Sequence, residues 1–263
     1  MALLEARGLG KRFGGIVAVD GLDFQVAAGE IVGLIGPNGS GKTTVFNLVT
    51  GIYPATAGRI TLDLGAEGRH ELVGRPAHSI TALGVARTFQ NQRLFNQMTV
   101  LENVLVAMHC RTRAGIVSIL AALPAVRRER RRAEATAAEL LGLFGERLLP
   151  RTAEPAWTLS YANRRRLEIA RALAAGPRLL LLDEPAAGMN PTETRELMRD
   201  IVRIRERGVT ILLIEHDMGV IRGVSDRVVA LDHGGKIAEG RFEEVREHPA
   251  VLEAYLGRRA GRA

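Results

Sequence analysis

The segment that most restricts this chain is Gly36-Pro37-Asn38-Gly39-Ser40-Gly41-Lys42-Thr43, which has the spacing G-x-x-x-x-G-K-[ST]. Before it lies Glu30-Ile31-Val32-Gly33-Leu34-Ile35, a short apolar run without alternation, as in a strand covered on both faces. After it, Thr43 to Val49 has helical character. Strand, glycine-rich loop and helix in that order make a phosphate cradle. Glycines let successive N–H groups converge on phosphate oxygens, and the following helix adds its positive end. The candidate loop comprises Gly36, Pro37, Asn38, Gly39, Ser40, Gly41, Lys42, Thr43 and Thr44. In such a loop the ammonium of Lys42 reaches the β- and γ-phosphates of ATP, and the Thr43 hydroxyl ligates Mg²⁺.

Composition sharpens the reading of Lys42. Of 36 cationic residues only Lys11, Lys42 and Lys236 are lysine, so arginine is the chain's default cation. A compact ammonium kept inside a phosphate-binding pattern fits between phosphates where a planar guanidinium does not. The net charge of +7 comes without a basic stripe interleaved with aromatics, and aromatics are only 4% of residues. No nucleic-acid partner is expected. A single cysteine, Cys110, rules out an internal disulfide and suits a reducing compartment. No stretch approaches the ~20 apolar residues of a membrane span, the longest being Ile116 to Val126, and the N-terminus lacks the features of a signal peptide. A cytoplasmic location is expected.

Leu179-Leu180-Leu181-Leu182-Asp183-Glu184 supplies the complement to the loop. An aspartate at the end of a buried strand is placed to hold Mg²⁺, directly or through water. The following Glu184 can orient or deprotonate an attacking water.

The rest of the chain reads as an α/β alternation. Leu3 to Val26, with Gly14-Gly15 and Asp20-Gly21, suggests antiparallel strands joined by turns. Residues 52–86 read as a turn-rich excursion with one short helix. From Leu94 to Leu149 the pattern is helical, through Asn103–Ala107 and Ile116–Leu123, with a break at Pro124 and then Arg127–Leu141. The run Arg127 to Arg132 is expected to be a solvated helix face. A helix over Leu167–Ala175, an amphipathic helix over Thr192–Arg207, a buried strand over Val209–Ile214 and a hairpin of Arg227–Leu231 with Lys236–Glu239 complete the pattern. Strands alternating with helices imply a mostly parallel sheet covered on both faces.

Between the two phosphate motifs stands Leu159-Ser160-Tyr161-Ala162-Asn163, followed by Arg164-Arg165-Arg166-Leu167-Glu168-Ile169-Ala170-Arg171. With these, the chain resembles the ABC transporter ATPase family along nearly its whole length. The resemblance implies an α/β fold with a P-loop NTPase (RecA-like) core, an N-terminal antiparallel β subdomain and an inserted helical subdomain. It implies one nucleotide-binding domain over 1–257, with the helical insertion at about 92–165 and a loose tail at 258–263. It also assigns roles. Ser160, Ala162 and Asn163 belong to the signature loop, which meets the γ-phosphate of ATP held by the opposite subunit. Gln90 is the glutamine that touches Mg²⁺ and senses the membrane partner, His216 the switch histidine, and Ala187–Asn190 the loop after the catalytic glutamate. Phe13 stands where the family stacks an aromatic on adenine, with Val19 nearby. The signature departs from the family's Leu-Ser-Gly-Gly-Gln: Ala162 brings a β-carbon where an amide must approach phosphate, and crowding there is one expectation.

Ala86-Arg87-Thr88-Phe89-Gln90, Met98-Thr99-Val100-Leu101-Glu102-Asn103-Val104, Ile214-Glu215-His216-Asp217-Met218 and the terminal Ala254-Tyr255-Leu256-Gly257 narrow the resemblance. They look like the larger ATPase subunit of bacterial branched-chain amino acid importers. That implies a second ATPase subunit (a different paralogue, or a second copy), two separate transmembrane permease subunits and an external substrate-binding protein. It also implies residence on the cytoplasmic face of the membrane. A lipopolysaccharide or lipid exporter ATPase shares the Tyr-Leu-Gly ending and is the alternative; a soluble ABC ATPase acting on DNA or ribosomes is a third.

Overall fold

The computed structural model describes residues 2–90, 93–108 and 124–256. Cys110, the apolar run Ile116–Leu123 and the tail from Gly257 onward lie outside these. Strands β1 (Ala2–Phe13) and β2 (Ile16–Ala27) pair antiparallel around the Gly14-Gly15 turn. Asp20-Gly21, expected as a second turn, instead lies inside β2, where the register with β1 shifts between Leu9↔Leu22 and Lys11↔Val19. A glycine at φ 57 absorbs that irregularity without ending the strand.

Strand β3 (Ile31–Ile35) leads through the glycine loop into α1 (Lys42–Val49). The stretch expected to be turn-rich holds more order than its punctuation suggests. Strands β4 (Ala57–Asp63) and β5 (Arg69–Glu71) extend the first sheet to the order β2-β1-β4-β5, before helix α2 (Ala77–Ala82) and strand β6 (Val85–Arg87). In β4 only Ile60 and Leu62 are buried, so the alternation signal is two residues long.

Helix α3 (Val100–Ala107) starts with a capping box, Thr99 accepting from the Glu102 amide and Glu102 from the Thr99 amide. Pro124 begins helix α4 (Pro124–Gly142), as suits a residue with no N–H to give. Arg128, Arg130, Arg131 and Arg132 face solvent on it, as a solvated charge run should. Then come α5 (Tyr161–Ala174), β7 (Leu179–Asp183), α6 (Pro191–Glu206), β8 (Thr210–Ile214), α7 (Met218–Val224) and the hairpin β9 (Arg227–Asp232) with β10 (Gly235–Gly240). Two short helices, α8 (Phe242–Glu247) and α9 (Pro249–Leu256), close the described chain. No helix of the described residues is long and apolar enough to cross a membrane.

The second sheet has the order β10-β9-β3-β8-β7-β6, parallel except for β10. Its central strands explain their own sequences. Leu180, Leu182, Ile211 and Leu213 pack into one core with α3, α4, α5 and α6. Their neighbours Leu179, Leu181, Leu212 and Ile214 pack into the other, with α1 and the first sheet. A strand buried on both faces reads as an unbroken apolar run. The parallel arrangement sends the carboxyl ends of β3, β6, β7 and β8 to one edge, where ligands of open parallel sheets bind.

Candidate active site

The loop after β3 needs glycine for steric reasons at two positions. A β-carbon on Gly36 would stand 2.2 Å from the Leu231 carbonyl oxygen, and one on Gly41 (φ 102) 2.5 Å from that of Ala18. Backbone here comes too close to its neighbours for any other residue. Val19 is buried beneath the loop, its Cγ2 3.6 Å from the space a Gly41 β-carbon would take. Outside supports fix the loop further. The Gly36 amide donates to the Tyr255 hydroxyl of α9 at 2.8 Å, and the Gly234 amide donates to the Ser40 carbonyl at 3.1 Å. Burial raises the Tyr255 pKa.

Lys42 folds back over the loop, donating to the carbonyls of Gly36 (2.7 Å) and Pro37 (2.9 Å). Burial lowers its pKa, while the charges of Glu184 and Asp183 act in the opposite direction. Thr43 is exposed, Thr44 half-buried, and the Ser40 hydroxyl is buried without a partner. A loop of converging amides, an ammonium resting on carbonyls and an unmet buried hydroxyl suit a polyphosphate.

At the end of β7, Asp183 is buried and its Oδ2 accepts from Arg87 at 2.6 Å. The other terminal nitrogen of Arg87 donates to Asn47 Oδ1 of α1, also at 2.6 Å. The same guanidinium lies over the rings of Phe46 and Phe89 at 5.3 and 5.2 Å. Arg87 therefore locks the metal candidate to the helix of the phosphate loop. Nothing in its sequence setting marked it for that role.

Glu184 has φ 48, left-handed backbone that a residue with a β-carbon adopts at a cost. Its amide donates to the Ile214 carbonyl (2.9 Å). The carboxylate is held on both oxygens, Oε1 2.8 Å from His216 Nε2 and Oε2 3.2 Å from Gln90 Nε2. Three residues named from sequence, contributed by three strand ends, thus meet in one cluster. Behind them Glu215 is buried, accepting from the amides of Ala186 (2.6 Å) and His216 (3.0 Å). Burial raises the Glu215 pKa, opposed by these backbone N–H groups.

Ser160 caps α5, its Oγ accepting from the Asn163 amide at 3.3 Å. Ala162 is only 2% exposed, so its methyl packs into the interior and does not stand at the surface. That argues against crowding of an approaching phosphate. Asn163 is buried too, its Oδ1 accepting from Arg166 (3.2 Å), which also pairs with Asp200 and Glu196. In the loop after Glu184, Gly188 lies against the Tyr161 ring, and Asn190 caps α6. Phe13 is 40% exposed, edge-on to Tyr53 at 5.2 Å with the Lys11 ammonium over its face at 4.8 Å. Tyr53 had no signal in the sequence. The aromatic pair is an exposed platform able to stack on a planar ring.

Comparison with known proteins agrees with this geometry. Residues 19–187 match the family model for the ABC transporter, and residues 236–261 match that for the branched-chain amino acid ATP-binding cassette transporter. The chain belongs to the ABC transporter family. Within it, the chain is 46% identical to the high-affinity branched-chain amino acid transport ATP-binding protein BraF of Pseudomonas aeruginosa, over 97% of this chain and 98% of that protein. It is 47% identical to the corresponding protein LivG of Escherichia coli, over the same shares of each. It is also similar to the crystal structure of an ABC transporter ATP-binding cassette in its ADP conformation, with TM-score 0.82, 29% identity and coverage of 98% of this chain and 99% of that one. As an ABC cassette, the chain is a nucleotide-binding ATPase.

Proposed function

We propose that this chain is the ATP-hydrolysing subunit of an importer for branched-chain amino acids or related amino acids and amides. It acts on the cytoplasmic face of the membrane, paired with a second ATPase subunit and two separate permeases that receive substrate from an external binding protein. The observation that carries the catalytic part is the Glu184 carboxylate held between His216 and Gln90. Relatives named for branched-chain amino acid transport, matched end to end, support the choice of transporter.

The amides of residues 38–44 and the Lys42 ammonium bind and orient the phosphates of ATP. The ammonium donates to the Gly36 and Pro37 carbonyls, oxygen acceptors like those a phosphate offers. Glu184 orients the attacking water and takes its proton, His216 fixes one carboxylate oxygen, and Gln90 links the other to the loop that reads the permease. Catalysis of this kind is positioning plus charge stabilisation and needs no covalent intermediate. Phe13 bounds the adenine side, with Val19 buried beneath the phosphate loop. Ser160, exposed at the start of its helix, faces the nucleotide of the opposite subunit, with Ala162 and Asn163 buried behind it.

The donors for Mg²⁺ are sparse: the Asp183 carboxylate, the Thr43 hydroxyl and the Gln90 amide, with no cluster of three or more His, Cys, Asp or Glu among the described residues. Such a set fits a magnesium ion that brings phosphate oxygens with it. When bound, the ion supplies neutralisation of phosphate charge.

The test is Glu184→Gln in the assembled transporter. ATP binding should be retained and hydrolysis should fall at least a hundredfold; unchanged hydrolysis removes Glu184 as the water-activating group. The exporter reading draws on 34% identity to the lipopolysaccharide export ATP-binding protein LptB of Acidithiobacillus ferridurans. Stimulation of ATPase activity by a substrate-loaded binding protein decides for import.

A further inference from the structure

Arg165, on the helix that follows the signature loop, is fully buried and does more than neutralise a neighbouring charge. Its one carboxylate partner is Glu168, a turn along the same helix, at 2.8 Å. The other acceptors are main-chain carbonyls from two different loops. One terminal nitrogen also donates to Phe89 O (2.6 Å), and the other donates to Gln90 O (3.2 Å) and Glu184 O (3.2 Å). Glu168 completes the grip by accepting from the Phe89 amide at 3.0 Å. The Arg165 Nε, meanwhile, is buried without a partner.

The carbonyls it holds belong to the two residues whose side chains meet, Gln90 and Glu184. Glu184 also carries strained backbone, which persists only where its surroundings fix it. Its amide is fixed by Ile214, and Arg165 and the Ala187 amide hold its carbonyl. At the other end, α5 is capped by Ser160, five positions before Arg165. One rigid helical turn separates the signature loop from the guanidinium, so a shift of the loop is passed to Arg165.

We propose that Arg165 is a positioning residue through which the signature loop sets the orientation of Glu184. This rests on the reading above, in which that loop meets the opposite subunit's ATP while Glu184 serves this subunit's own. One fork of hydrogen bonds then ties hydrolysis at one ATP to occupancy of the other.

Arg165→Lys keeps the charge beside Glu168 but removes the planar fork that spans both loops. In the transporter assembled from co-expressed subunits, we expect kcat to fall by about tenfold or more, with the affinity for a fluorescent ATP analogue within about twofold of wild type. Glu30→Gln serves as the stability control, because it disturbs another largely buried arginine, Arg227, that touches neither Glu184, Gln90 nor the signature loop. It should lower Tm comparably and leave kcat within about twofold. In a Glu184→Gln background, Arg165→Lys should cause no further loss, since Arg165 acts through Glu184. Unchanged kcat in Arg165→Lys, an equal loss in Glu30→Gln, or losses that multiply with Glu184→Gln each overturn the proposal. Failure of the wild-type chain to bind the analogue would instead overturn the ATPase reading on which it stands.

Discussion

Replacing Arg87 by Met and Asp183 by Asn, singly and together, tests the claim that a buried ion pair builds the metal side of the site. The two side chains are 6% and 4% exposed with N–O separation 2.6 Å, so solvent screens them weakly. Charge centres about 4 Å apart at an effective dielectric near 20 attract by about 4 kcal/mol. Desolvation of both groups offsets most of that, and the intact pair contributes little net stability. Removing one partner is different, because the other stays buried and uncompensated. Each single change should cost about 3–5 kcal/mol. Arg87→Met should be the worse of the two, since Asn47 also loses its donor. With both charges gone the cost should be no more than that of one change, giving a coupling of at least about 3 kcal/mol. Urea unfolding monitored by circular dichroism, with m-values compared across the four proteins, measures it. A coupling below about 0.5 kcal/mol would refute the reasoning and leave Asp183 orientation to its strand alone.

Three further outcomes are expected. Lys42→Ala should weaken binding of a fluorescent ATP analogue at least tenfold, and a change under twofold in titration would remove the phosphate-loop assignment. Ala162→Gly should lower stability by up to about 1 kcal/mol through lost packing and added chain freedom, and alter turnover less than twofold; a several-fold rise in steady-state ATPase rate would show that the methyl crowds phosphate after all. Burial raises the Glu215 pKa, so the folded protein holds that proton more tightly than the unfolded chain. Its contribution to stability is full below the ordinary carboxylate pKa and is lost as pH rises through the raised value. The stability of wild type relative to Glu215→Gln should therefore decline from about pH 4.5 upward in urea titrations, and a difference independent of pH would contradict the shift.

What could be read from sequence divides along a physical line. The runs at β3, β7 and β8 were legible because burial on both faces leaves no polar position to interrupt them. Lys42, Asp183 and Glu184 were legible as candidates because their motifs set them at fixed spacing from a strand end. Strands β4 and β5 were not, since their order comes from pairing with β1 and with each other rather than from a local pattern. The turn expected at Asp20-Gly21 failed for the same reason: a strand partner absorbs what looks locally like a break. Pro124, expected as a break, begins a helix. Helices α7, α8 and α9 are six to eight residues long, too short to register as a period. In the site, Arg87, Arg165 and Tyr255 act through groups 96, 19 and 219 positions away. No local signal carries such pairings.

The choice of cation follows the geometry of each position. At Arg87, Arg165 and Arg166 the acceptors are spread over separate elements: Asn47 and Asp183 for the first, Phe89, Gln90, Glu168 and Glu184 for the second, Asn163, Glu193, Glu196 and Asp200 for the third. A planar fork with five donors spans such gaps and stays charged when buried. An ammonium reaches one cluster of acceptors at a time. Lys42 donates instead to two neighbouring carbonyls of a single loop, Gly36 and Pro37, which a compact ammonium with freely rotating donors reaches together. The buried arginines thus tie separate elements together, while Lys42 serves acceptors gathered on one loop.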